Sequence, residues 1–232
     1  MATVRHKSDV QRLVLHGISW RAYERLLRAF DEERHLRITY DRGSLEIMTL
    51  SPRHERAKHL LGVLIVALAE EVGVEIAGFG SMTFKRRPKK RGLEPDECYW
   101  VQNEARMRGK LEYNLERDPP PDLVLEIDVT SSSLNRMAIY AALGVPEVWR
   151  WDGTTLEVNV LGAKGRYAVA EKGQAFPFFR PAELVRFLAL EAVQGETGML
   201  RTFRAWVRDQ KAAGWPANTG DGPSQAAGQP GA

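Results

Sequence analysis

The strongest constraint on the fold is an eight-residue segment at positions 122–129, which reads DLVLEIDV and follows three consecutive prolines. Side chains two residues apart in a strand point to the same side, so the odd positions form a wholly apolar face. The even positions place Asp122, Glu126 and Asp128 together on the other face. We therefore predict a strand whose apolar face packs against helices. Its three carboxylates repel one another unless a cation or a proton compensates their charge.

Helical and strand patterns alternate along the rest of the chain, which is typical of the α/β class. Ser19 and Ser51 precede two apolar stripes at helical spacing, and the serines at 131–133 are predicted to cap a third helix. Together these elements predict a mixed β-sheet flanked by helices. We predict helices at 20–33, 53–72, from the serine cap to 143, 181–192 and 197–211, and strands at 36–40, 45–48, 74–78, 96–101, 122–129, 145–151, 156–161 and 167–170.

Composition predicts one domain over residues 1–211 and a disordered tail over 212–232, where Ala, Gly, Pro and polar residues dominate. The 27% of charged and 44% of hydrophobic residues argue against a fibrous or wholly disordered chain. No apolar run reaches the ~18 residues that span a bilayer, and the polar N-terminus is unlike a secretory signal. A single cysteine, Cys98, excludes an intrachain disulfide. We expect a cytoplasmic protein without a membrane partner.

The distribution of charge is more informative than the formal net charge of +3. Residues 85–91 read KRRPKKR, with six cations in seven positions, and acidic residues gather at 94–128. A basic run beside carboxylates suits a phosphate-bearing polymer approached through a metal ion. A solvated loop that keeps the protein soluble explains the same run equally well.

Several common kinds of active site are excluded by spacing. The chain has no phosphate-binding GxxxxGK loop, no GxGxxG dinucleotide motif and no GxSxG nucleophile elbow. His54 and His59 are five residues apart, which separates them by about 140° around a helix, so they cannot bind one zinc ion as an i, i+4 pair does. The kind of active site that remains is one formed by Asp and Glu carboxylates.

A second acid, Asp96, enters a predicted strand 30 residues before Glu126. If the two strands are neighbours, Asp96 and Glu126 can bind one metal ion, and hard cations such as Mg²⁺ prefer such oxygen ligands. Ordinary solvated acids are the alternative, and we favour that alternative for Glu94 and Glu97. Arg136, in the first turn of the helix that follows, is the candidate cation for a phosphoryl transition state, although a surface position explains it equally well.

At these residues the sequence resembles the putative restriction endonuclease family, a bacterial family of the PD-(D/E)XK nuclease superfamily. The resemblance covers about residues 15–190. It is carried by PDLVLE at 121–126, Tyr140, GVPEVW at 144–149, Asp152, LEPDECY at 93–99, and Ser51, Pro52 and His54.

The resemblance implies a restriction-endonuclease-like core with a phosphodiesterase site that uses Mg²⁺ or Mn²⁺. Asp96 and Glu126 match the two acidic motif positions, and Asp128 stands where the superfamily usually has lysine. Many relatives carry a lysine four residues before the tyrosine instead, and that position is Arg136 here. An arginine can stabilise an anion but cannot act as a base, because its guanidinium stays protonated in proteins. The resemblance also places His54 near the site, whereas a local hydrogen bond at the helix start is the role that we favour for it.

The leading hypothesis is a metal-dependent endonuclease that cuts DNA in preference to RNA. Asp96, Glu126 and Asp128 would hold the metal, Arg136 would stabilise the phosphoryl charge, and the 85–91 run would hold the nucleic-acid backbone. A homodimer is expected only by analogy with the superfamily. The main alternative is a non-catalytic nucleic-acid-binding or regulatory module that kept the fold. A carboxylate-pair hydrolase acting on sugars is weaker, because no aromatic platform is evident near the acids.

Overall fold

The computed structural model describes residues 11–30, 36–129 and 132–215. Its strands form two sheets. The strands are β1 (Arg12–Leu15), β2 (Leu36–Asp41), β3 (Ser44–Thr49), β4 (Ala77–Gly78), β5 (Phe84–Arg86), β6 (Arg91–Leu93), β7 (Glu97–Trp100), β8 (Leu123–Ile127), β9 (Glu147–Trp151), β10 (Leu156–Leu161) and β11 (Tyr167–Ala170). The helices are α1 (Trp20–Ala29), α2 (Pro52–Val72), α3 (Glu104–Met107), α4 (Arg136–Leu143) and α5 (Leu184–Ala212).

The smaller sheet has the order β1-β3-β2-β6-β5 and the larger one β11-β10-β9-β8-β7-β4. The larger sheet is mixed, because β8 and β9 run parallel while the other described neighbours in it are antiparallel. This confirms the predicted α/β class with a mixed sheet flanked by helices, and adds a second, antiparallel sheet.

Strand β8 occupies the centre of the larger sheet and is buried along its whole length. Its odd face, Leu123, Leu125 and Ile127, belongs to the main core together with apolar residues of α2 and α5. On the even face, Val124 packs with Ile139 and other residues of a second core cluster. The period-2 pattern therefore predicted both faces of this strand correctly.

Helix α2 agrees with the predicted helix at 53–72, and local chemistry explains both of its ends. The Ser51 hydroxyl accepts a hydrogen bond from the His54 backbone N–H (3.2 Å), and Pro52 occupies the first turn. Gly73 ends the helix in the left-handed conformation (φ 73°). Helix α2 packs along α5, which is bent at Gly195 (φ 69°, ψ 168°). The bend separates the two helices that were predicted at 181–192 and 197–211.

Other elements differ from the sequence-based expectation. The basic run at 85–91 forms β5, a 3₁₀ turn at Arg87–Lys89 and the start of β6, rather than a loop. The strand expected at 74–78 is reduced to Ala77–Gly78, and β1 was not predicted. Strands of two to four residues are too short for a period-2 pattern to distinguish them from loops.

The start of α4 also differs. Asn135 caps this helix, because its side chain accepts a hydrogen bond from the Ala138 N–H (3.0 Å). Ser132 and Ser133, which were expected to cap it, bind the carboxylate of Glu46 instead (2.6 Å each). The prediction for Ser131 lies outside the described residues, as do the last residues of the helix predicted at 20–33.

The hairpin β2–β3 is buried on both faces. Ile38, Tyr40 and Leu45 pack against Trp20 and Tyr23 of α1. Arg37, Thr39 and Glu46 lie on the opposite face, and all three are at most 3% exposed. A buried polar face requires partners, and these come from the larger sheet and from the segment before α4.

The described residues extend into the predicted tail, since Ala212 belongs to α5 and the Trp215 ring lies 5.3 Å from that of Trp206. Within the described part of the chain, no helix combines the length and the apolar character that a bilayer crossing requires.

Candidate active site

The register of β7 and β8 brings the two candidate acids together. Glu97 pairs with Leu125 and Cys98 with Val124, in antiparallel register. Continuing this register by one residue places Asp96, immediately before β7, opposite Glu126. Residues directly opposite one another in an antiparallel pair share a face, with Cβ atoms about 5 Å apart. Asp96 is fully buried and Glu126 is 6% exposed.

Asp96 is held by three groups from different parts of the fold. Arg37 on β2 forms an ion pair with Oδ1, and His54 Nε2 lies 3.0 Å from the same oxygen. The Ile127 backbone N–H donates to Oδ2 (2.6 Å). Burial alone would raise the pKa of Asp96, but the charge of Arg37 and the contacts of His54 and Ile127 hold it well below its usual range. Asp96 is therefore a carboxylate at neutral pH.

Glu126 is held by residues of α4. Arg136 donates from Nε to Oε2 (3.1 Å) and from Nη2 to Oε1 (2.7 Å), the two-pronged arrangement that a guanidinium makes with a carboxylate. The Tyr140 hydroxyl donates to Oε1 as well. Burial and the adjacent charge of Glu126 raise the pKa of Tyr140 well above its ordinary value, so the tyrosine remains protonated.

Arg136 joins both sheets and α4 around Glu126. It also donates to Thr39 Oγ1 on β2 (2.8 Å) and to the backbone carbonyl of Glu94 (2.6 Å). Burial lowers the pKa of Arg136, yet its partners Glu126 and Tyr140 outweigh that effect and raise it. The residue is a fixed, permanently charged group beside Glu126 and not a surface arginine.

Asp128 lies two residues beyond Glu126 and forms an ion pair with Arg150 of β9 (2.6 Å). Both residues are partly exposed, and they line a groove of about 310 Å³. The groove reaches Glu126 and Arg136 and continues along the segment before α4, where Ser132, Leu134, Asn135 and Met137 complete its lining. It gives solvent, or a ligand, access to the Glu126 side of the acid pair.

The donor set fits a divalent cation of the Mg²⁺ type. Carboxylate oxygens are its preferred ligands, and Mg²⁺ is usually held by one or two carboxylates together with water and substrate phosphate. Asp96 and Glu126 supply such a pair. Within residues 11–30, 36–129 and 132–215, no three acidic, histidine or cysteine side chains converge on one point. The assignment of Asp128 as a third ligand thus stays a prediction.

Three further acids, Glu71, Glu94 and Glu97, occupy other positions in the fold. Glu71 pairs with Arg204 (3.2 Å) near the C-terminal end of α2, about 25 Å along the helix axis from His54. Glu97 faces α2 with Leu125, on the side opposite to Asp96, as strand alternation predicted. Glu94 and Glu97 are half-buried and not ordinary surface acids, and burial raises the pKa of each.

Sequence reasoning missed the contribution of the hairpin β2–β3. Arg37 binds Asp96, Thr39 binds Arg136, and Glu46 fixes the segment that leads into α4. The signal was present, since Arg37 and Thr39 alternate with apolar residues. A polar face on a hairpin normally indicates solvent, so only tertiary packing reveals that this face is buried.

The basic run extends from the site as an exposed hairpin tip, defined here as Arg87, Lys89 and Lys90. No described acid lies within salt-bridge distance of these three side chains. Glu94, whose carbonyl binds Arg136, follows Lys90 by four residues, which corresponds to about 13 Å along the strand. Arg91 is different, because it pairs with Asp41 (2.8 Å) and donates to the Ala138 carbonyl of α4 (3.2 Å).

Comparison with known proteins identifies the family of the chain. Residues 20–191 match the family Uma2, described as putative restriction endonuclease. The match spans most of the chain and includes Asp96, Glu126 and Arg136, so the protein belongs to this family. A search of curated proteins gives no match.

Proposed function

We propose that this protein is an endonuclease that hydrolyses phosphodiester bonds, in DNA rather than RNA, with Mg²⁺ or Mn²⁺. One observation carries the proposal: the register of β7 and β8, continued by one residue, places Asp96 opposite Glu126, beside a fixed arginine and an open groove. Membership of the restriction-endonuclease family supports the same reaction.

The residues of the site would have separate roles in the reaction. Asp96 and Glu126 would hold the divalent ion, and Asp128 would assist directly or through a water molecule. Mg²⁺ would supply Lewis-acid polarisation of the phosphoryl oxygen and lower the pKa of the attacking water. His54, in contact with Asp96, would orient that carboxylate.

Arg136 would stabilise the negative charge that develops on the phosphoryl group. Its guanidinium has the fork geometry that matches a phosphate, and it is the first residue of α4, where the positive end of the helix dipole lies. Arg136 cannot accept a proton, and Tyr140 remains protonated. The proton lost by water would therefore pass to solvent or substrate phosphate through the groove.

Binding of the polymer would use the hairpin tip. Its three unpaired cations project from the strand that leads to Glu94, so they can neutralise phosphates on either side of the cleaved bond. Contacts of this kind position a nucleic acid without reading its sequence.

A second candidate function is a non-catalytic nucleic-acid-binding module. The pairing of both acids with arginines favours it, because each carboxylate already has a cation of the protein as its partner. The two functions differ in metal binding. A nuclease site binds Mg²⁺ when DNA is present, whereas a vestigial site binds none.

The test is cleavage of supercoiled plasmid DNA with Mg²⁺, with Mn²⁺ and with EDTA. We expect cleavage by the wild type with either metal and none with EDTA. Asp96→Asn and Glu126→Gln should each reduce the rate at least about 100-fold, because each removes a charged ligand. The exposed Glu112→Gln is the matched control, since it removes one carboxylate away from the site and should retain wild-type activity.

Circular dichroism and thermal unfolding of each variant separate loss of catalysis from loss of fold. Equal cleavage by the wild type and both site variants would show that these acids are not catalytic. No cleavage by any protein, with DNA binding retained and no Mg²⁺ bound, would favour the non-catalytic module.

A further inference from the structure

The Asp96 carboxylate already carries a cation of the protein on the oxygen that faces His54. Arg37 pairs with Oδ1, and the two side chains are 4% and 0% exposed. Arg37 lies on β2 of the smaller sheet, whereas Asp96 precedes β7 of the larger one. The ion pair therefore lies between the sheets, where solvent and salt screen it little.

The two arginines of the site are bound in different ways. Arg136 pairs with Glu126 and donates as well to Thr39 Oγ1 and to the Glu94 carbonyl. Among the described residues, Asp96 is the single acid with which Arg37 forms an ion pair. Arg136 thus keeps its position when Glu126 changes partner, while the contact of Arg37 depends on Asp96.

Charge at the site is balanced by these two pairs. Asp96 and Glu126 carry two negative charges, and Arg37 and Arg136 carry two positive ones. A divalent cation that binds Asp96 meets the guanidinium of Arg37 at the same carboxylate, and like charges at that distance repel strongly in a buried setting. Binding of the metal and the Arg37–Asp96 contact are therefore in competition.

We propose that Arg37 competes with the divalent ion for Asp96 and so sets the affinity of the site for metal, an inference that rests on the proposed function. Arg37 is a positioning residue in this account, because it acts on the metal through Asp96. The ion pair supplies the buried carboxylate with a counter-charge while metal is absent, and the metal takes over that role when it binds.

The test is isothermal titration calorimetry with Mg²⁺ alone, on the wild type and three variants. Arg37→Gln removes the charge and retains an N–H donor for Asp96, and it should bind Mg²⁺ at least about tenfold more tightly. Arg37→Lys retains the charge and should stay within about threefold of the wild type. Arg91→Gln is the matched control, because it removes the same charge from a residue that pairs with Asp41; it should also stay within about threefold.

Each result has a separate meaning. Equal or weaker Mg²⁺ binding by Arg37→Gln, with measurable binding by the wild type, would overturn the proposal for Arg37. An equal increase in Mg²⁺ affinity in Arg91→Gln would also overturn it, because the effect would then come from net charge alone. Absence of Mg²⁺ binding in the wild type and in every variant, also when the titration is repeated with DNA present, would overturn the proposed function instead.

A measurement on the wild type covers the case in which Arg37→Gln does not fold. The guanidinium N–H signals of Arg37 and Arg91 are followed by NMR during a Mg²⁺ titration. The Arg37 signals should shift and exchange faster with solvent as the ion pair is replaced, and those of Arg91 should not. Unchanged Arg37 signals in a titration that shows Mg²⁺ binding by calorimetry would contradict the competition.

Discussion

The parallel strands β8 and β9 carry buried carboxylates near both of their ends, and the two ends satisfy them differently. At the amino end, Asp122 accepts backbone N–H groups from Val101 (2.8 Å) and Asn103 (2.9 Å), and Glu147 accepts those of Gln174 and Ala175. At the carboxyl end, Glu126 of β8 and Asp96, which precedes the neighbouring strand β7, each form an ion pair with an arginine side chain in addition to their other contacts.

This difference separates structural carboxylates from exchangeable ones. The backbone N–H groups that Asp122 and Glu147 bind belong to neighbouring loops. These two carboxylates hold the loops in place, and their role is structural. An arginine supplies charge, and charge can be supplied equally by another cation. Ligands of α/β sheets bind at the carboxyl ends of parallel strands, which is where the arginine-paired acids lie.

The largest expected effect on stability comes from breaking one arginine pair. Glu126→Ala leaves the buried guanidinium of Arg136 without its counter-charge, and we expect a loss of about 3–5 kcal/mol in the free energy of unfolding. Urea unfolding measures it. The double variant Glu126→Gln/Arg136→Met should be more stable than Glu126→Ala, since it removes both charges; a double variant less stable than the single one would contradict this account.

Asp122, at the amino end of β8, provides the comparison. Asp122→Ala leaves two backbone N–H groups and the Asn103 side chain without their acceptor, and we expect a loss of about 2–4 kcal/mol. Millimolar Mg²⁺ should stabilise the wild type and Asp122→Ala by the same amount, because the metal site is intact in both. It should not stabilise Glu126→Ala. If Mg²⁺ stabilised all three proteins equally, the acids at the two ends of the strands would not differ in their role in metal binding.

The pH dependence of stability should have opposite signs at the two ends. The lowered pKa of Asp96 means that the unfolded chain binds more protons between the folded and unfolded values, so wild-type stability rises with pH towards about 4. Burial raises the pKa of Glu147, so its contribution falls as pH rises above about 4.3. The stability cost of Asp96→Asn should therefore grow with pH, and that of Glu147→Gln should shrink.

Thermal unfolding of the wild type and the two variants between pH 3 and pH 7 measures these slopes. Slopes of the same sign at both positions would show that the two kinds of carboxylate are not distinguished by their partners.

The smallest effect on stability is expected at the hairpin tip. Replacement of Arg87, Lys89 and Lys90 by alanine should change the free energy of unfolding by no more than about 0.5 kcal/mol, because these residues are exposed. The same replacement should weaken DNA binding and reduce the slope of log K against log salt by about 2–3. Fluorescence anisotropy at several salt concentrations tests this, and an unchanged slope would show that DNA contacts another surface.

The arrangement around Asp96 and Glu126, at the carboxyl end of the parallel strands, could be predicted only in part from the sequence. The alternation in 122–129 placed Glu126 on the face that Asp96 shares, and helical spacing placed Arg136 and Tyr140 one turn apart. Two contacts from the hairpin, that of Arg37 with Asp96 and that of Thr39 with Arg136, could not be recognised, because nothing local distinguishes a buried polar face from a solvated one.

Local competition explains other differences from the predicted fold. Ser132 and Ser133 have good capping chemistry, yet the buried carboxylate of Glu46 accepts hydrogen bonds from the Ser132 hydroxyl and the Ser133 backbone N–H, and Asn135 caps α4. The hairpin at 84–93 is formed by the three-residue strands β5 and β6, and the pairing of β6 with β2 depends on tertiary contacts. Long periodic elements such as α2 and β8 were predicted from their patterns because those patterns extend over many residues.

The most direct measurement is a crystal structure of the protein soaked in Mn²⁺, with data collected for anomalous scattering. The account predicts an anomalous peak between the carboxylates of Asp96 and Glu126, with the Arg37 guanidinium displaced from Asp96 Oδ1. A protein that takes up Mn²⁺ at other sites while both arginine pairs stay intact would contradict it.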